Sequence, residues 1–166
     1  MKPVKEEKPV LTGTVEREQI ETALPDWVQA QVEADLDRET AAALATVEPG
    51  AEITVFLGTW CGDSRREVPR FWRALDETGG LVPFTVRHIG VSRDKKAPAE
   101  LVTVYDIRYV PTFIVTRDGA EVGRIVETSP HGVEADLLAL LSGEAHGLLT
   151  TRQDLEAGAP PAPPGR

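Results

Sequence analysis

The chain has one cysteine, Cys61, inside the stretch from Ile53 to Ser64 (ITVFLGTWCGDS). That stretch opens on β-branched and apolar residues, which predict a buried strand released at Gly58 and Thr59. From Arg65 onward, Val68, Phe71, Trp72 and Leu75 recur at helical spacing. Cys61 therefore falls on a strand-to-helix turn. The first N–H groups of a helix are unpaired and carry partial positive charge, so a thiolate placed there is stabilised and can act as a nucleophile. Arg65 and Arg66 add to that effect and Asp63 opposes it. The commonest fate of a free cysteine is to serve as a small buried apolar group. The neighbours Gly62, Asp63 and Ser64 are small or polar and predict an open turn instead. Ser64 either donates a hydrogen bond to the thiolate or caps the helix, since Ser64-Arg65-Arg66-Glu67 has the capping-box pattern.

Trp60-Cys61-Gly62 at the end of an apolar strand, with Pro69 inside the following helix, resembles the thioredoxin family. A second block, Tyr105 to Val115 (YDIRYVPTFIV) followed by Asp118-Gly119, is similar to that family's segment around its cis-proline and the hairpin turn beyond it. The resemblance runs from about Gly50 to Ser142. It implies a thioredoxin-like three-layer α/β fold, a mixed central sheet flanked by helices, with a helix over Cys61 that starts nearer Gly62 than Ser64. It also implies a nucleophilic Cys61 and a substrate groove shaped by Trp60, Gly62, Asp63, Val110 and Pro111. In that family the proline is cis and abuts the cysteine, and the backbone before it pairs with an extended substrate segment. Taken alone, Pro111 reads as a trans proline opening a strand.

Two departures shape what the resemblance implies. Ser64 stands where the family has its second cysteine, and Val55 stands where it has a buried acid. Thiol–disulfide exchange proceeds through a mixed disulfide, and here the thiol that resolves it must come from outside. The implied activity is monothiol exchange, with Cys61 and Ser64 at its centre. Its partners would be protein disulfides or thiols, with glutathione a candidate resolving thiol. The alternative is a non-catalytic thioredoxin-fold module that binds a protein through its groove or its N-terminal helices. A third reading, a monothiol glutaredoxin holding an iron–sulfur cluster, is disfavoured by Trp60 and by the lack of a glutathione-binding pattern.

The remaining sequence sets bounds. At 166 residues, with 41% hydrophobic and 27% charged residues, the chain is long enough for one well-packed domain. A net charge of −9 disfavours nucleic acid and anionic membrane surfaces as partners. The charged start predicts no secretory signal, and hence a cytoplasmic protein. His88, His131 and His146 are widely spaced and form no metal pattern with one cysteine, and no cofactor motif is evident. Lys95 and Lys96 read as a solvated loop.

Residues 1–12 are expected to be a disordered leader, and residues 13–47 a helical extension. That extension has one helix capped by Thr14 and a second from Asp26 to about Thr46, with an apolar stripe at Val28, Val32, Leu36 and Leu44. Residues 48–145 form the thioredoxin-like domain, β-α-β-α-β-β-α, with Trp72, Phe71, Phe56, Phe84 and Phe113 in its core. Residues 146–166 read as a flexible Pro/Gly/Ala-rich tail.

Overall fold

A computed structural model describes residues 9–155. Its centre is β2 (Ala51–Leu57), which lies parallel to β3 (Phe84–Gly90) on one side and antiparallel to β4 (Thr112–Arg117) on the other. Both faces of β2 are covered, and its side chains alternate between two cores. Ile53, Val55 and Leu57 join Phe71, Trp72, Phe113 and Val115 on one face, and Phe56 joins Ile89, Val110 and Ile114 on the other. The parallel β2–β3 pair is joined by a long helix, α4 (Gly62–Glu77). α5 (Ala99–Val104) covers the smaller core, with Leu101 and Val102 packed onto it. β4 and β5 (Ala120–Val126) form a hairpin whose two tip residues, Asp118 and Gly119, both have positive φ, as a type I′ turn demands. α6 (Val133–Ser142) closes the larger core with Val133, Leu137, Leu140 and Leu141. This is the thioredoxin-like α/β fold, in three layers.

The sheet is wider than the seven-element expectation. Among the described residues it has six strands, ordered β1-β3-β2-β4-β5-β6. The first of them, β1 (Gly13–Val15), pairs antiparallel with β3, so Thr14 lies in a strand rather than capping a helix. The helix that follows, α1 (Arg17–Ala23), is capped by Glu16, whose backbone N–H donates to Gln19 Oε1 at 2.8 Å in a reciprocal capping box. At the other edge, β6 (Gly147–Thr150) runs parallel to β5. This corrects the reading of residues 146–166 as tail from its first residue. Gly123 permits the pairing, because a Cβ there would lie 2.4 Å from the Gly147 carbonyl oxygen. Residues 156–166 lie outside the described residues.

The long second helix of the extension is also corrected. It divides into α2 (Pro25–Glu33), α3 (Arg38–Ala43) and a 3-10 turn at Leu44–Thr46. The break arises because Asp37 caps α3, its side chain accepting the Thr40 N–H at 3.1 Å, while its own N–H donates to Glu134 on α6 at 2.8 Å. The expected apolar stripe holds at its far end, where Leu44 is buried and Leu36 packs against the core, and fails in α2. Val28 and Val32 are 43% and 67% exposed, and α2 instead buries Trp27 and Gln31. Trp27 packs on Trp72 of α4, ring centroids 5.8 Å apart. Trp27 is a large aromatic with a ring partner on α4, and that pairing, which neither valine has, sets which face turns inward.

Residues 1–8 of the expected leader lie outside the described residues, but Pro9–Thr12 do not behave as free chain. The Thr59 hydroxyl donates to the Pro9 carbonyl at 2.8 Å and accepts the Leu11 N–H at 3.2 Å. Pro9 and Leu11 are thereby tied to the turn that carries Cys61.

Candidate active site

The turn after β2 is built from its backbone outward. Cys61 N–H donates to the Gly58 carbonyl at 2.9 Å, closing a tight turn that ends the strand. Gly58 is required there by contact, not by φ: a Cβ would sit 2.7 Å from the Trp60 ring. That ring is fixed by its indole N–H, which donates to the Val91 carbonyl at 2.9 Å beyond β3. α4 starts at Gly62 with Cys61 as its N-cap residue, in extended conformation and with no side-chain cap bond. The helix runs without a break through Pro69. Of the two starts open in the sequence, the earlier is the one adopted.

Ser64, one turn into α4, is fully buried, and its hydroxyl accepts the Gly58 N–H at 3.0 Å. It is therefore neither the N-cap residue nor solvent-facing. Its bond ties the first helical turn back to the end of β2.

Cys61 is half-buried, and its Sγ lies 3.4 Å from the Val110 carbonyl oxygen, to which the S–H donates. The peptide between Val110 and Pro111 is cis, as is that between Ala97 and Pro98. Trp60 and Cys61 pack together on the small core that contains Val110 and Ile107. Trp60, Cys61 and Val110 thus come together, with Pro111 next in the chain. Gly62 is exposed, and Asp63 turns aside to pair with Arg66 at 2.9 Å. Val110 and Pro111 are both buried, so an approaching group meets Cys61 and Trp60 first.

Three further contributors are ones the sequence places elsewhere: Lys95 in a solvated loop, Glu67 in a helix cap and Arg152 in the tail. Lys95, with φ at 60°, holds its ammonium 6.0 Å from the Trp60 ring centroid. Its loop is stitched by Ser92 and Asp94: Lys95 N–H donates to the Ser92 carbonyl at 2.9 Å and Lys96 N–H to Asp94 Oδ1 at 3.0 Å. The Ser and Asp just before the basic pair were the available signal. On the other side, the Arg152 guanidinium stacks 3.8 Å from the Tyr109 ring centroid, next to Val110. The third is Glu67, 6% exposed, with Oε1 3.5 Å from Arg66 Nε and Oε2 buried without a hydrogen-bond partner among the described residues. Burial raises its pKa, against the pull of Arg66 and Arg70. Its pattern as an acid three residues after Ser64 suggested a cap instead.

No family model matches the chain. It is 28% identical over 96 residues to "Thioredoxin-like protein R548" of Acanthamoeba polyphaga mimivirus, an alignment covering 58% of this chain and 66% of the viral protein. It is 31% identical over 81 residues to a thioredoxin of Chlamydia pneumoniae, covering 48% of this chain and 72% of that protein. The chain belongs to the thioredoxin family. Among solved structures, a protein of unknown function from Pseudomonas aeruginosa shares the fold. It superposes with a TM-score of 0.55 over 78% of this chain and 88% of its own, at 16% identity. Family membership leaves this chain's own features in place: one cysteine, Ser64 bonded to Gly58, and Val55 wholly buried between His88 and Phe113 in the sheet register.

Proposed function

We propose that the protein carries out thiol–disulfide exchange through Cys61 alone, with the mixed disulfide resolved by an external thiol. The observation that carries this reading is the setting of the only sulfur able to react. Cys61 sits at the N-terminus of α4, half-exposed beside Trp60 and against the Val110 carbonyl. The S–H···O bond to Val110 belongs to the protonated thiol, so it breaks when the sulfur deprotonates, and the carbonyl is then freed to accept from a substrate backbone N–H.

In the first step the Cys61 thiolate attacks one sulfur of a substrate disulfide. The S–S bond breaks and the substrate's other sulfur leaves as a thiolate that takes a proton from water. An external thiolate then attacks Cys61 Sγ and expels the substrate's remaining sulfur. A second external thiol attacks that new disulfide and releases Cys61 as thiolate. Two thiols supply the two electrons and leave as their own disulfide. Trp60 and Lys95 form one lip of the groove, and Val110 and Pro111 its floor, with Gly62 and Asp63 on the α4 side. Ser64 holds the turn through Gly58.

The alternative, a thioredoxin-fold module that binds without reacting, is separated by one experiment. Reduced protein is incubated with cell lysate, free thiols are blocked, and disulfide-linked adducts are isolated under non-reducing conditions. Exchange predicts adducts joined through Cys61 and absent from Cys61→Ser. Capture that is equal in Cys61→Ser and released by denaturant alone would support the binding module.

A further inference from the structure

The N-terminal extension builds a feature that the exchange reading does not use. Between α2 and the first turns of α4 lies an open cleft of about 640 Å³, within the size range of small-ligand sites. Gly62, the residue after the nucleophile, forms part of its lining. Its two walls carry opposite charge. Arg65, Arg66 and Arg70 line it from α4, and Asp26, Glu33 and Asp35 from α2 and the segment after it.

The arginines are unequal. Arg70 is committed to Glu134, with bonds of 3.0 Å from both Nε and its terminal nitrogen. Arg66 donates to Asp63 at 2.9 Å and to Thr128 at 3.0 Å. Arg65 is half-exposed, and its contact with Asp26 is 3.8 Å, beyond hydrogen-bond length. It is the guanidinium best able to turn to a ligand. A simple anion drawn to it would be repelled by the facing carboxylates, and a simple cation by the arginines. A ligand with an ammonium and a carboxylate on one arm satisfies both walls.

We propose that this cleft binds the resolving thiol, a zwitterionic low-molecular-weight thiol of the glutathione class. Its carboxylate meets Arg65, its ammonium meets Glu33 and Asp35, and its sulfur extends past Gly62 towards Cys61. The inference rests on the exchange reading for its role, but the binding itself does not require Cys61 to react. The electron balance is that of the exchange cycle above; the cleft adds only affinity and orientation for the attacking thiolate.

The test uses the full chain in reduced form, titrated with S-methylglutathione, which cannot exchange, and followed by backbone amide NMR. Saturable shifts are expected in residues 30–35 and 62–66. Arg65→Gln and, from the opposite wall, Asp35→Asn are each expected to weaken binding about threefold to tenfold. The same spectra report whether each variant is folded. In the kinetic arm, a preformed mixed disulfide is resolved by glutathione or by neutral 2-mercaptoethanol, and Arg65→Gln lowers the ratio of the two rates by a similar factor. The proposal is overturned by an absence of shifts at millimolar ligand, by shifts confined to residues 109–112, or by variants that bind like wild type. Failure of the exchange reading looks different: no mixed disulfide forms at all, whatever the titration shows.

Discussion

Replacing Ser64 by Cys places a second sulfur one helical turn from Cys61, at the family's usual spacing, where the separation across a helix turn is within disulfide reach. The substitution is nearly isosteric but removes the hydroxyl that accepts the buried Gly58 N–H at 3.0 Å. Sulfur is a weak acceptor, so the reduced variant should lose about 1 kcal/mol. For a chain of this size that is a fall in melting temperature of about 2–4 °C. Closing the short loop between Cys61 and the introduced sulfur constrains the unfolded chain by about 2 kcal/mol, so the oxidised variant should recover at least the wild-type melting temperature. The functional assay is a single turnover: reduced protein is mixed with an equimolar disulfide peptide and no other thiol. Wild type should stop at the mixed disulfide. The variant should release the peptide at least about tenfold faster, because its resolving thiol is already in place. Val55, buried where the family has an acid, offers no carboxylate to take the second thiol's proton and should hold that gain down. A variant that forms no internal disulfide, or a wild type that releases peptide unaided, would refute this account of the turn.

Three further predictions concern the supporting structure. His88 is buried, with Nε2 accepting the Trp72 indole N–H at 2.9 Å; burial, and then the charge of Arg17, push its pKa down to about 4. The unfolded chain takes that proton near pH 6.5 and the native chain only near pH 4. Stability complete above pH 6.5 is thus lost as pH falls through that window, by about 3 kcal/mol, and His88→Gln should lose correspondingly less in urea titrations; parallel profiles would contradict it. For Glu67, whose pKa burial raises, the sign is reversed, and stability falls as pH rises above the usual carboxylate range. Glu67→Gln should raise the melting temperature at pH 7 by a few degrees and lose that gain below about pH 4. Gly58→Ala should cost about 1–3 kcal/mol and shift the tryptophan fluorescence, since a Cβ there displaces the Trp60 ring from its bond to Val91.

Local rules carried the sequence reading furthest where one signal dominated. β2, α4 and the β4–β5 hairpin were legible because β-branched runs, helical spacing and Asp118-Gly119 each point one way. The core aromatics Phe56, Phe71, Trp72 and Phe113 followed from the same patterns. β1 and β6 were missed because three- and four-residue edge strands carry little pattern of their own and exist through pairing with β3 and β5. The break at Asp37 depends on Glu134, far along the chain, and no local window contains it. At the site, the position of Cys61 on the turn was readable, but the Ser64–Gly58 bond was not. It needs the strand end and the helix start folded onto each other. The charged cleft likewise depends on how α2 docks against α4, which turned on Trp27 rather than on the valines.

The most direct measurement is the intact mass of wild-type protein after reaction with an equimolar disulfide peptide, followed over time. Monothiol exchange predicts one adduct, located at Cys61, that persists without added thiol and vanishes with release of peptide when glutathione is added. An adduct that never forms, or that disappears with no external thiol present, would contradict it.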